Sequence, residues 1–415
     1  MTKKEGICWI LIFTFFTILS LNRHSKAPIF TYNSEIWADK AGYNVYLPAL
    51  FIYKFEATHF PDSIEYKTGN GFELNRETNK IITKYPYGTA LLQSPFWFVA
   101  HLIDKEKTGY SEFYNKSIDV AAVFYFVLGL FFLYRLLNIE QRKKTAFLTL
   151  VLSIFGTNLF YYAIFETGMS HIYSFACFSM LLYLLSQNRF DYQIILLSLI
   201  ILVVRPINIV FLIPIVFLFD VSSKSDFFER IKVLFTRKNI VLGVTLAVVV
   251  LLPQLLYNQY AQGTWSINAY QNETFMYWNN PKIFEVLFAP TNGLFLYAPM
   301  LAIVFVALAL KVEMLKRFAY LPILLLLIYT ITYASWWSYM LGCGLGHRGL
   351  VDILPIFIYM VYHIIKATDS KVFYALAILC SLYTTKLSFS YDGCFPGKGD
   401  WDWQAYKAVV LEKTK

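Results

Sequence analysis

Apolar stretches of about 20 residues recur along nearly the whole chain, and no other feature of the sequence restricts its fold so severely. A hydrocarbon core of roughly 30 Å is crossed by a helix of about that length. Inside that core every backbone N–H and C=O must be paired, which leaves only helices and closed barrels. The runs here are continuous and rich in Leu, Ile and Phe instead of alternating, which argues against a barrel. The expected fold is therefore all-α, a polytopic membrane protein. Charged residues make up only 15% of the 415, where a soluble domain carries about 25%.

A formal charge of +9 would suit a nucleic-acid binder. The Lys and Arg residues, however, sit in short clusters between apolar runs, as topogenic charges do, so the basicity is read as topology and nucleic acid is not expected as a partner. Placing each short basic loop in the cytoplasm gives spans near 6–22, 117–137, 146–164, 170–187, 193–204, 207–220, 239–257, 293–311, 318–335, 350–366 and 372–388. That is about eleven crossings, with the N-terminus cytoplasmic and the C-terminus outside. Lys3/Lys4, Arg142–Lys144, Arg189, Lys224 through Lys238, Lys311/Lys316/Arg317 and Lys366/Lys371 then all lie inside. Residues 6–21 follow Lys3 and Lys4 like a signal peptide, but Pro28 directly after Ser25-Lys26-Ala27 disfavours cleavage, so an uncleaved first helix is expected.

Counting Gly88 to Asp104 as a crossing would put Arg142–Lys144 outside, so this apolar segment reads as a surface or re-entrant helix. The stretch 193–220 is either a tilted hairpin with Arg205 near its tip or one broken segment. The predicted organisation is a single membrane domain over 1–415, with a long first extracytoplasmic loop at 23–116 that contains surface helices and a short outer tail at 389–415.

The five cysteines show no CxxC and no metal-ligand spacing, which argues against zinc or iron–sulfur chemistry. Cys8, Cys177 and Cys380 fall in apolar helices as packing residues. Cys343 and Cys394 both fall outside, where a disulfide can form but spacing does not dictate one. No cofactor is implied. Outer acids can hold Mg²⁺ or Mn²⁺, but no ligand cluster in the sequence demands a metal.

The long outer loop carries Glu35 and Asp39, four residues apart and so on one face of a helix. Either acid can act as general base toward a hydroxyl, or both are solvated loop acids beside Lys40. Lys84-Tyr-Pro-Tyr-Gly88 leads into the surface helix and suits a lipid head group. Glu166 and His171 flank an intramembrane junction, either lining a cavity or capping a helix. Arg205 interrupts an apolar run, and its guanidinium either meets a phosphate or snorkels to the interface. In the segment 335–355, Trp337 offers a stacking face, His347 and Arg348 offer cationic donors, and Gly342, Gly344 and Gly346 allow close backbone approach. These groups converge on one predicted side, where an extracytoplasmic site would lie.

The order of these pieces resembles the GT-C superfamily of membrane glycosyltransferases, which includes protein O-mannosyltransferases and the aminoarabinose transferase of lipid A, and in particular its uncharacterised bacterial members. The resemblance is carried by Asp39-x-x-Gly-Tyr43-x-x-Tyr-Leu-Pro-Ala, Lys84-Tyr-Pro-x-Gly, Met169-Ser-His171, Arg205-Pro, Asn292-Gly-Leu-Phe-x-Tyr-x-Pro299 and Trp337 through Arg348. It implies a transferase in a bacterial plasma membrane that takes a sugar from a polyprenyl-phosphate donor to a lipid, glycan or protein acceptor. Asp39 would be the base, with Glu35, Glu166 and His171 as further catalytic candidates. Lys84, Tyr43, Arg205, Trp337, His347 and Arg348 would bind substrate. Several of these families carry adjacent acids, whereas Glu35 and Asp39 are four apart. A polysaccharide polymerase or ligase, or a lipid-linked-oligosaccharide transporter, is the competing expectation. A transporter, though, would carry polar groups through the midplane.

Overall fold

The fold is known here from a computed structural model, which describes the chain except residues 1, 188–191, 222, 268–269, 271–272, 311, 343, 369, 392–401 and 412–415, and the side chains of 312–317. Arg189, Lys311 and the Cys343 and Cys394 pair therefore lie outside the described residues, as does most of the predicted outer tail.

Helix α1 is Lys3–His24, opened by a capping box between Thr2 and Glu5. Two short helices follow, α2 (Asp39–Asn44) and α3 (Tyr46–Phe51), then a single turn α4 (Ile64–Lys67). A small antiparallel hairpin, Glu73–Asn75 (β1) with Lys80–Ile82 (β2), pairs Leu74 with Ile81. This hairpin is the one departure from an all-α reading among the described residues, and it was too short to show a period of two. Next come α5 (Gly88–Ile103), α6 (Glu112–Leu137), α7 (Lys143–Gly156), α8 (Leu159–Ile164), α9 (His171–Ser186), α10 (Tyr192–Val204), α11 (Ile209–Leu218) and α12 (Lys224–Leu234). The chain continues through α13 (Arg237–Gln262), α14 (Ile283–Phe288), α15 (Leu294–Tyr297), α16 (Pro299–Leu310), α17 (Val312–Ser335), α18 (Leu350–Thr368), α19 (Lys371–Ser390) and α20 (Trp403–Leu411).

Among the described residues, six helical stretches are long and apolar enough to cross a membrane: Lys3–His24, Glu112–Glu140, Arg237–Gln262, Phe318–Ser335, Leu350–Thr368 and Lys371–Ser390. At 1.5 Å per residue, α9 and α10 reach only about 24 and 20 Å, short of a 30 Å core. Large apolar side chains face outward on α1 (Ile10, Leu11, Phe15, Ile18) and on α13 (Val241, Val244, Val248, Val249). A body with such faces belongs in lipid.

Helices α6, α9 and α18 pack in succession through the middle, and α18 is almost wholly buried. Ion pairs Lys143–Glu5 and Lys366–Glu140 tie the start of α1, the turn after α6 and the end of α18 together at one end of the body. The predicted first loop gathers at the other end and has its own apolar core, built on Ile36, Val45, Leu47, Phe60, Phe72, Ile81, Trp97 and Tyr114 and closed by Tyr257 of α13. Arg205 sits in extended backbone between α10 and the turn Pro206–Asn208. There α10 packs on α9 and α13, whereas α11 packs on α17, so the two halves lean on different neighbours.

Candidate active site

Asp39 begins α2 directly after Ala38, whose φ of 47° and ψ of −123° is a conformation that favours glycine. The surroundings enforce it. The Ala38 N–H donates to the Thr68 carbonyl at 2.7 Å, and a Cβ on Gly71 would stand 1.8 Å from the Ala38 oxygen. At Gly42 a Cβ would come 2.2 Å from the Tyr85 ring, so the missing side chain is what lets Tyr85 reach over α2 to Asp39. The Tyr85 hydroxyl donates to Asp39 Oδ1 at 2.5 Å, and Arg348 Nη2 donates to Oδ2 at 2.9 Å. Burial pushes the Asp39 carboxyl up, but the Arg348 guanidinium and the Tyr85 hydroxyl outweigh it, and the group is held below its ordinary value.

Asp39 opens onto a cavity of about 450 Å³ that is also lined by Tyr43, Lys84, Arg205, Trp337 and Arg348. These residues come from sequence positions as far as 309 apart. Met169, Val204, Ile207, Ile209, Phe275 and Trp336 make most of the remaining wall apolar. Each cation is met by an acid: Arg348 by Asp39, Arg205 Nε by Asp352 Oδ2 at 2.8 Å, and Lys84 by Glu273. Arg205 is aimed further by donating through Nη1 to Ser170 Oγ at 3.2 Å, and Ser170 in turn donates to the Tyr43 hydroxyl at 3.0 Å. A second, more polar cavity of about 1220 Å³ lies between the hairpin and the end of α13. It shares Asp39, Lys84, Tyr85, Tyr270 and Glu273 with the first, so these five residues form the wall between the two spaces.

No protein-family model, curated protein or solved structure matches this chain. Its function is therefore read from the site itself.

Four of the expected site residues lie elsewhere. Glu35 is 2% exposed, receives Lys116 at 3.0 Å, and faces His24 and Asp119 without lining either cavity. Glu166 pairs with the buried Lys40 at 3.1 Å. His171 donates from Nδ1 to Asp352 Oδ1 at 2.9 Å, so it helps hold the carboxylate that holds Arg205 and lines neither cavity. His347 is 2% exposed between Tyr329 and Tyr333; its Nε2–H donates to the Tyr339 carbonyl at 2.7 Å and its Nδ1 meets the Tyr329 hydroxyl. Burial pulls its pKa down to about 4, so near neutral pH it is an uncharged packing residue and not the cationic donor expected from its neighbour Arg348. Of the three glycines, Gly342 lines the first cavity, whereas Gly344 and Gly346 turn the chain against Tyr162 and Tyr297.

Asp352, Ser170, Tyr85, Tyr270 and Glu273 were not singled out from the sequence. Asp352 alone left a usable signal, a carboxylate at the start of an apolar helix, which is costly unless it is paired.

Proposed function

We propose that this chain is a membrane glycosyltransferase of GT-C type, moving a sugar from a polyprenyl-phosphate donor to a hydroxyl or amine acceptor at the extracytoplasmic face. The observation that carries the reading is the position of Asp39 in the wall between an apolar, cation-bearing cavity and a wider polar one. The first suits a lipid phosphate and the second a water-soluble acceptor group. The acceptor oxygen attacks the anomeric carbon, the bond from that carbon to the phosphate oxygen breaks, and the polyprenyl phosphate leaves with the electron pair. Asp39 takes the acceptor proton, and Arg205, Arg348 and Lys84 face the charge that grows on the phosphate.

The three ion pairs give this reading a specific consequence. A carboxylate saturated by Arg348 is a weak base. An arriving phosphate competes for the same guanidinium, and once it draws Arg348 away Asp39 regains basicity at the moment the acceptor needs it. Donor binding and base activation are thereby linked. The crossings beyond the six long helices, and the orientation that puts the site outside, belong to this proposal. The deciding assay offers detergent-purified protein a panel of polyprenyl-phosphate sugars and follows the appearance of polyprenyl phosphate. Binding without release across the panel would favour a transporter.

Two further outcomes are expected. Transfer should be flat from pH 8 down to about 5. Asp39, lowered below its ordinary value, loses its charge only when pH falls through that lowered value, and His347 gains a proton only near 4. Below about pH 6.5 the unfolded chain protonates His347 while the folded one does not, so thermal stability should fall between roughly 6.5 and 4 even while turnover holds. A pH–rate profile measured beside thermal unfolding separates the two effects. Glu166→Gln, which leaves the buried Lys40 without its partner, should lower stability by about 1–3 kcal/mol and reduce kcat by less than about tenfold.

A further inference from the structure

A second cluster lies apart from both cavities, where the end of α1, the segment leading to α2 and the first turns of α6 meet. His24 is 4% exposed, Glu35 2% and Asp119 0%, and one donor atom from each lies within 4.8 Å of the other two. Tetrahedral zinc with bonds of about 2.1 Å to N and O puts its ligand atoms roughly 3.4 Å apart. The three donors, 2.8 Å apart at the His24–Asp119 pair and all within 4.8 Å, bracket that separation and close on an ion by shifts of roughly an ångström.

The outer contacts are those of a ligand set. His24 Nε2–H donates to the Phe165 carbonyl at 3.3 Å, which turns Nδ1 inward, 2.8 Å from Asp119 Oδ1. At that distance either a proton or a metal ion must lie between the imidazole and the carboxylate. Ser20 and Thr167 both donate to Asp119 Oδ1, at 3.0 and 2.9 Å, whereas the buried Oδ2 receives no N–H or hydroxyl from either, and the Asp119 carboxyl stands within hydrogen-bonding reach of Glu35. Lys116 holds Glu35 Oε1 at 3.0 Å and is 23% exposed, so it grips the cluster from its solvent edge. Ring N–H to carbonyl and hydroxyl to carboxylate are the contacts that orient metal ligands elsewhere.

We propose that His24, Glu35 and Asp119 bind one divalent transition-metal ion, zinc foremost, as a structural clamp. One imidazole with two carboxylates suits zinc better than Mg²⁺ or Ca²⁺, which take oxygen ligands. Such a clamp ties α1 and α6 to the segment that delivers Asp39. It also reaches the turn before α9, because Thr167 holds Asp119 and a Cβ on Gly168 would stand 2.2 Å from the Glu35 carbonyl. The proposal stands whether or not the protein transfers sugars.

Elemental analysis of the full chain, purified in detergent without a polyhistidine tag or chelator, tests it. About one zinc per chain is expected, with EDTA lowering the unfolding temperature and added Zn²⁺ restoring it. Asp119→Asn and Glu35→Gln should each lose the metal, and Glu166→Gln should keep it. Cobalt substituted for zinc should give the visible absorption of a low-coordinate site in wild type, a readout that needs no variant to fold. Wild type without bound metal and with no thermal response to Zn²⁺ or Mn²⁺ would overturn the proposal and leave a proton shared between the imidazole and the carboxylates. Zinc that persists in both ligand variants would overturn it as well.

Discussion

Asp39→Asn is expected to reduce kcat for sugar transfer by about 10²–10⁴-fold, the usual contribution of a positioned base, while leaving the donor KM unchanged or lower. Asparagine has the shape of aspartate and its single carbonyl oxygen still accepts from Tyr85, so the wall between the cavities persists, whereas its amide nitrogen cannot accept from Arg348. What disappears is the site for the acceptor proton. The split between kcat and KM follows from the ion pair: without the carboxylate, Arg348 is free for the donor phosphate before the donor arrives. The Asp39 side chain is 30% exposed, so solvent screens the unpaired guanidinium and the stability cost stays near 1–2 kcal/mol. Steady-state kinetics over a range of donor concentrations checks both halves. Undiminished kcat would remove Asp39 from the chemistry and point to Glu273, the other acid that faces both cavities.

Asp352→Ala should have the largest effect on stability, about 3–5 kcal/mol, because it strands a charge in the interior. Asp352 is wholly buried, forms an ion pair with Arg205 Nε at 2.8 Å and accepts from His171 at 2.9 Å. Breaking a buried pair from one side costs more than removing both partners. The double variant Asp352→Ala with Arg205→Met should accordingly unfold at a higher temperature than Asp352→Ala alone, and additive losses would contradict the pairing. Transfer should fall too, since Arg205 would no longer be aimed through Ser170 at the cavity.

The fold class was legible because lipid exposure writes itself into composition: a helix facing hydrocarbon needs apolar residues over its whole length, wherever its neighbours lie. Arg205-Pro206 was legible as an interruption for the same reason, since a cation and a ring without N–H both break such a run. Six residues picked out for substrate or base roles, Asp39, Tyr43, Lys84, Arg205, Trp337 and Arg348, line one cavity. Glu35 and His347 show where residue type fails as a guide. A carboxylate four residues from Asp39 and a histidine adjacent to Arg348 turn away from the cavity, because neighbours on a turn or loop point in different directions.

Sequence alone thus determined that this chain builds apolar helices, where they break, and which charged residues are too costly to be bystanders. Tertiary structure decided which of those charges meet. Asp39 with Arg348, Arg205 with Asp352, and His24 with Asp119 are pairings set by the crossing of helices distant in sequence. Local spacing governs only the few residues that one turn brings together, and the energy of a buried charge depends on what packs over it from elsewhere in the chain.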